Sequence, residues 1–378
     1  MRYCFVLLAL ICLPAAAEPA SDALIGQLPT ICAAAVPGTD LFQRCGEIFG
    51  SSDPTAIADA ADGQKLEEVP GQVRIATRDT AVRARTELSP QWSAFVSADV
   101  GQVKRRASEI EAPFAAGTDS LTLGLNWQPS PKWLLGLAAN QVHESLDYRA
   151  SEGSVDTRFN GLIALVSHPL GAAWSLDGYA GRLSGDYRLR RAIVYTLGTG
   201  SDSVTVSSNA LANPGASRGL YGFAASGSWS RKAWDFGATF GIDDSKIRID
   251  PYTETGGDGF AIAVAGRNTS TRRARGDFRL GRTVSWSGGV WQPSVRIGWR
   301  QEAAGPIRTV TVHFVEDPSQ TPVTFDTEES DRSWGELALG SVFTFKHGHS
   351  AFVEYRQRFA HAFLSERVVS LGFRYELP

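Results

Sequence analysis

Apolar and polar residues alternate with a period of two along most of this chain, and nowhere more strictly than at its C-terminal end. In Val368–Pro378, Val369, Leu371, Phe373, Tyr375 and Leu377 are apolar, while Ser370, Gly372, Arg374 and Glu376 between them are small or charged. Such alternation marks a β-strand with two chemically different faces. Leu121, Leu123, Leu125 and Trp127 repeat the pattern, as do Trp234, Phe236, Ala238, Phe240 and Ile242, and again Val295, Ile297 and Trp299. Val353, Tyr355 and Phe359 oppose Glu354, Arg356 and Arg358. An aromatic and aliphatic face opposite a small or charged one suits a wall between lipid and a polar lumen. A soluble sandwich would bury its apolar faces against each other.

Twelve such segments are predicted, near 91–103, 118–128, 132–145, 155–167, 174–187, 217–230, 233–246, 273–286, 290–303, 332–346, 349–359 and 365–377. Tight connections alternate with longer ones near 104–117, 146–154, 188–216, 247–272 and 304–331, and with a shorter one at 360–364. Long on one side and short on the other is the arrangement of outer-membrane barrels, whose short turns are periplasmic. The expected fold is therefore all-β, an antiparallel 12-stranded transmembrane β-barrel over residues 91–378, preceded by a small, partly helical N-terminal segment. Arg282 falls on an apolar face and is expected near a membrane interface.

Residues 1–17 read as a signal peptide: Arg2, an apolar Phe5–Leu13, and Ala15-Ala16-Ala17 as the small-residue cleavage site. Cleavage after Ala17 removes Cys4 and Cys12 and leaves Cys32 and Cys45. In an oxidising compartment these two are expected to pair, worth about 3 kcal/mol in the chain-entropy model, the alternative being two free thiols. Within residues 18–54, Asp22–Leu28 and Thr39–Phe49 have helical spacing, with Leu41, Cys45 and Ile48 on one face. Residues 55–90 read as a linker or lumen plug carrying Arg74, Arg78, Arg83 and Arg85. That run is either a solvated face or a lumenal segment whose guanidinium groups meet inward carboxylates. The candidate lumen contacts on the barrel are Arg296, Glu354, Arg356 and Arg374.

Composition adds exclusions. Lys+Arg 37 against Asp+Glu 40 gives a formal charge of -3, so no global field attracts nucleic acid. No run of about 18 apolar residues follows the leader, so no mature membrane-spanning helix is expected. No cofactor or metal site is expected. His347-Gly348-His349 lacks further ligands nearby in sequence. His143, Glu144 and Ser145 point alternately to opposite faces of a strand, which does not make a catalytic unit. Arg275-Gly276-Asp277 is the integrin-binding tripeptide, but falls inside a predicted strand. Asp243, Asp244, Asp250 and Asp258 read as solvated acids rather than a Ca²⁺ site. No enzyme signature is present.

The region Gln91–Leu377 resembles the translocator β-domain of type V autotransporters, most clearly in Ala351–Leu377. Ser370-x-Gly372-x-x-Tyr375-x-Leu377 is similar to that family's terminal signal, read by the barrel assembly machinery. Pro378 follows it and cannot donate a strand hydrogen bond, so pairing is expected to stop at Leu377. The resemblance implies an outer-membrane protein of a Gram-negative bacterium, with lipid, the assembly machinery and periplasmic chaperones as partners. It also implies export of an N-terminal passenger, which here is confined to residues 18–90. The expected function is a translocator that hosts or exports its own short N-terminal segment. The alternatives are an adhesin contacting host or neighbouring cells through its long loops, and a small-solute channel.

Overall fold

The structure, a computed structural model, describes residues 19–50, 91–107, 113–148, 153–197, 204–303, 309–326, 332–346 and 348–377. Two helices open it, α1 (Pro19–Ala34) and α2 (Asp40–Gly50). Then come β1 (Gln91–Arg105), β2 (Phe114–Ser130), β3 (Trp133–Tyr148), β4 (Ser154–Leu170), β5 (Trp174–Leu197), β6 (Val204–Ala212), β7 (Gly215–Arg231) and β8 (Trp234–Ile249). Three short pieces follow, β9 (Tyr252–Thr253), β10 (Thr255–Gly256) and β11 (Ile262–Val264). The chain continues through β12 (Arg267–Arg282), β13 (Val284–Trp286), β14 (Gly289–Glu302), β15 (Thr309–Phe314), β16 (Val323–Asp326), β17 (Ser333–Phe345), β18 (Ser350–Phe359) and β19 (Leu364–Glu376).

Twelve of these strands form a closed antiparallel barrel. Neighbours follow the chain from β1 to β5, then β7, β8, β12, β14, β17, β18 and β19, and β19 pairs back onto β1. At the seam Ala94 faces Tyr375, Ser97 faces Gly372 and Asp99 faces Ser370. Ser370 Oγ donates to Asp99 Oδ1 at 2.5 Å, and Arg374 Nε donates to Ser93 Oγ at 3.1 Å. Leu377 N makes the last backbone bond, to Trp92 O at 2.9 Å, so pairing reaches Leu377 as expected. Gly372 lies beneath the Phe352 ring of β18, and a Cβ there would sit 2.1 Å from the ring.

Alternation along each strand sorts side chains as the sequence pattern requires. Leu371 is 54% exposed, with Phe278, Ile297, Leu137 and Phe223 likewise open to the outside, a band of apolar surface that only lipid would cover. Trp92, Trp127, Trp133, Trp174, Trp229, Trp234, Trp286 and Trp291 gather at the short-turn end, where Trp92 stacks on Trp127 at 5.8 Å. Arg282 sits in this rim with its guanidinium 5.8 Å from the centre of the Trp234 ring. Among the described residues no helix is long and apolar enough to cross a membrane.

Three expected loops are not loops. Residues 188–216 hold the far end of β5, which runs past the barrel to Leu197 and turns back as β6. Within 247–272 lie β9, β10, β11 and the first part of β12, which starts at Arg267 rather than near 273. Within 304–331 lie β15 and β16. β16, β15, β11 and β9 form a separate four-stranded sheet at the long-connection end. Ile262-x-Val264 and Val310-x-Val312-x-Phe314 alternate like the barrel strands, but the runs are too short to span a bilayer.

Close approach of strands fixes some positions tightly. A Cβ on Gly161 of β4 would lie 2.0 Å from the Arg182 carbonyl oxygen of β5, a backbone atom that cannot rotate away. Gly161→Val should therefore cost about 1–3 kcal/mol, seen as a lower unfolding temperature of the heat-modifiable band, whereas Gly117→Val, with nothing within 4 Å, should leave it unchanged.

Candidate functional site

The lumen has two unlike walls. On β12, β14, β17, β18 and β19, inward arginines and carboxylates interlock. Arg296 bridges Asp277 at 3.0 Å and Glu354 at 2.8 Å. Arg300 bridges Asp277 at 2.9 Å and Glu336 at 2.8 Å. Arg356 lies 3.6 Å from Glu336 and 3.4 Å from Glu366, and Arg358 is 2.5 Å from Glu366. Arg273 and Arg358 lie 4.9 Å and 4.8 Å from the centre of the inward Trp334 ring. Four guanidiniums thus meet four carboxylates, and the network carries no excess charge.

The opposite wall departs from the polar lumen that the pattern predicts. Val142, Leu146, Phe159, Leu183, Leu220 and Ile247 of β3, β4, β5, β7 and β8 face inward and are buried in one apolar cluster. Period-two reading missed this because those strands carry apolar residues on both faces, as in Leu162-Ile163-Ala164-Leu165-Val166. Such a run hides its alternation.

Above the lumen, at the long-connection end, four chain segments share a second core. Leu28, Ile31, Ala35, Leu41 and Cys45 of the helices and their connection pack with Ile193 and Ala210 of the β5–β6 hairpin. Phe260, Ile262 and Val264 join from the β8–β12 connection, and Val310, Val312, Phe314 and Val323 from β15 and β16. Cys32 and Cys45 form a disulfide, Cα–Cα 5.5 Å, that ties α1 to α2 within this core. The cap is also joined by polar contacts. Thr39 Oγ1 accepts from Phe42 N at 3.2 Å, and Glu316 Oε2 accepts from Leu41 N at 2.7 Å, so a carboxylate from a distant connection caps the N-terminus of α2. Arg44 Nη2 lies 3.6 Å from Asp258 Oδ2. Gly259, at φ +91, presses on the same helix end, where a Cβ would lie 2.4 Å from Leu41 N. Beneath them, buried Arg191 binds Glu254 through Nη2 at 2.5 Å and Nε at 3.0 Å, and Glu254 also accepts from Ile262 N. Burial in the cap pushes the Tyr252 phenol up to about 12.

The proposed lumen contacts on the barrel, Arg296, Glu354, Arg356 and Arg374, all face inward, and each is engaged by a partner on the barrel itself. Arg74, Arg78, Arg83 and Arg85 lie outside the described residues, as do residues 1–18 and His347. The local motifs separate in space. Arg275 pairs with Asp243 at 3.4 Å and Asp277 belongs to the arginine network, so both charged members of the tripeptide point into the lumen. His143 bonds Asp119 at 3.0 Å on the outer face, whereas Glu144 is buried on the inner one. Asp244 pairs with Arg272 and Asp258 with Arg44, far from a common centre, and no group of three metal-ligating side chains occurs among the described residues.

Residues 94–356 match the family model of the autotransporter beta-domain. The chain belongs to this family. Its fold is similar to the translocator domain of the autotransporter NalP from Neisseria meningitidis, with TM-score 0.58 and 12% identity over 75% of this chain and 88% of that one. It is also similar to the beta domain of the Bordetella autotransporter BrkA, with TM-score 0.52 and 15% identity over 76% and 100%. No curated protein matches in sequence. As an autotransporter β-domain, the barrel is an outer-membrane translocator.

The arginine network is buried in the lumen. Glu336 is 2% exposed between Arg300 and Arg356, so Glu336→Ala leaves two buried cations with less compensation. The expected loss is about 3–5 kcal/mol, measured by urea titration in lipid vesicles. Removing the exposed Asp119 carboxylate as Asp119→Asn should change stability by less than about 1 kcal/mol.

Proposed function

We propose that this translocator exports its own disulfide-stapled N-terminal hairpin and keeps it on the cell surface, seated on a cap built from its long connections. The observation that carries this reading is the shared core of α1, α2 and β11, β15 and β16. Long connections face outward in barrels of this kind and short turns face the periplasm, so a helix pair packed on the long connections is outside the cell. The leader at residues 1–17, cleaved after Ala17, would bring the chain to the periplasm.

Connectivity sets the route. Gly50 ends α2 on the cap, and Gln91 starts β1 at the opposite rim. The intervening residues 51–90 have to pass the level of the membrane, where a path through hydrocarbon would strand Arg74, Arg78, Arg83 and Arg85. The lumen is the route that avoids this cost. Even wholly helical at 1.5 Å per residue, such a segment reaches about 60 Å against an apolar band about 25 Å tall. The reading assigns no reaction to the chain. A second reading, contact of the cap with a host or neighbouring cell surface, draws on exposed apolar side chains there: Val36, Phe42 and Val315.

For delivery, Ser370, Gly372, Tyr375 and Leu377 serve as the positions read by the assembly machinery, with chaperones carrying the unfolded barrel across the periplasm. Tyr375 is 45% exposed on the lipid face. Tyr375→Asp should deplete the protein from outer-membrane fractions and accumulate it in the periplasm; normal outer-membrane levels would remove the assignment. The display reading has its own test. An antibody against residues 27–45 should label intact cells. Gly259→Val should then expose that segment to added protease while the barrel keeps its heat-modifiable mobility. Labelling only after the outer membrane is opened would sink display.

A further inference from the structure

The outer wall carries a group of cations with too few acids to balance them, and its position identifies what they face. On the outward side of β5, β7, β8 and β12, Arg182, Gly219, Lys246 and Ser270 lie in one row across four strands. The next row toward the short-turn end holds Ala180, Tyr221, Asp244 and Arg272. With strands about 4.8 Å apart, the Arg182 and Lys246 backbones are about 10 Å from each other. Gly219 between them has no side chain, and a Cβ placed on it would meet only the Lys246 carbonyl oxygen, at 4.0 Å. The two cations therefore flank an open notch.

Their partners leave positive charge over. The Arg182 side chain is exposed and has no ion-pair or hydrogen-bond partner among the described residues. Lys246 is held by the Tyr221 ring, with Nζ 5.8 Å from its centre, and by no carboxylate among the described residues. Among the described residues Arg272 uses only Nε, which donates to Asp244 Oδ2 at 3.2 Å, and its two terminal nitrogens are open there on a side chain that is 66% exposed. Three cations face one buried carboxylate. The row above adds Arg248, which is 3.9 Å from Asp250.

The level is that of lipid headgroups. On β8 the apolar outward positions run from Trp234 in the short-turn rim to Ile242, and Asp244 and Lys246 follow. Ten to twelve residues of a strand tilted by about 40° rise about 25–30 Å, the height of the apolar band. Tyr221 is placed as an interfacial aromatic, one step beyond the lipid-facing Phe223.

We propose that Arg182, Lys246 and Arg272 form a binding site for a phosphate-bearing lipid headgroup in the leaflet on the long-connection side, with its acyl chains lying down the apolar wall formed by Phe223, Ile242 and Phe278. The phosphate sits in the Gly219 notch between Arg182 and Lys246, and the free guanidinium nitrogens of Arg272 reach it from below. The site commits to a lipid because the apolar wall below continues directly from the cations.

The test uses the full-length protein in neutral detergent, with native mass spectrometry reading bound lipid. Phosphatidic acid is titrated against diacylglycerol of the same chains and against inorganic phosphate. Wild type should retain one tightly held phosphatidic acid. Arg182→Gln/Lys246→Gln/Arg272→Gln should bind it about a hundredfold more weakly, while Arg188→Gln, higher on β5, should match wild type. If the triple variant does not fold, Arg182→Gln alone, which loses no partner, should weaken binding about fivefold. Equal retention by these variants, or equal retention of diacylglycerol, would overturn the proposal. Displacement of the lipid by millimolar phosphate would overturn its lipid specificity and leave a soluble-anion site.

Discussion

Everything in this protein depends on closing a ring of backbone hydrogen bonds in a solvent that offers none. In hydrocarbon an unpaired strand edge leaves amides and carbonyls with no partner, at several kcal/mol each. The β1–β19 seam removes both edges at once. Its register is set by side chains as well as backbone: Asp99 holds Ser370, Ser93 holds Arg374, and Phe352 lies across Gly372. A shift by one residue would turn Arg374 and Glu376 into lipid and Tyr375 into the lumen, so the period-two pattern itself forbids slippage.

Closure then permits what the interior does. An interlocked, charge-balanced wall on one side and an apolar wall on the other give a lumen with little net attraction for a charged segment. Under the proposed export, the segment's destination supplies what the lumen does not. At the long-connection end, helices stapled by Cys32 and Cys45 meet the β5–β6 hairpin and a sheet made from two connections, and together they build a core that no one segment could build alone. In this autotransporter β-domain the long connections are folded elements with their own hydrophobic interior. Glu316 at the start of α2, with Gly259 beneath it, shows how closely that interior is fitted to the hairpin.

The outer surface is divided in the same way. Tryptophans crowd the short-turn rim, whereas the opposite rim of β5, β7, β8 and β12 carries arginine and lysine. The two leaflets thus meet different chemistry on one barrel. Arg282, alone on an apolar face in the sequence, finds its place by lying over Trp234 at the tryptophan-rich end.

The sequence by itself determined the twelve staves, their direction, their lipid faces and the two ends of the barrel. Those properties are local: alternation and turn length act within about twenty residues, and lipid enforces them on every strand alike. The disulfide was legible for a similar reason, since only two cysteines follow residue 17. Tertiary structure decided what lies far apart in the chain. Ile262, Val312 and Val323 looked like loop residues until helices from the N-terminus gave them a core to join. Inward Phe159 and Leu183 were masked by apolar neighbours on both faces of their strands. Arg182, Lys246 and Arg272, scattered over ninety residues, became one patch only through strand register. Burial and charge balance are sums over segments that the chain brings together, and only the closed fold fixes which segments those are.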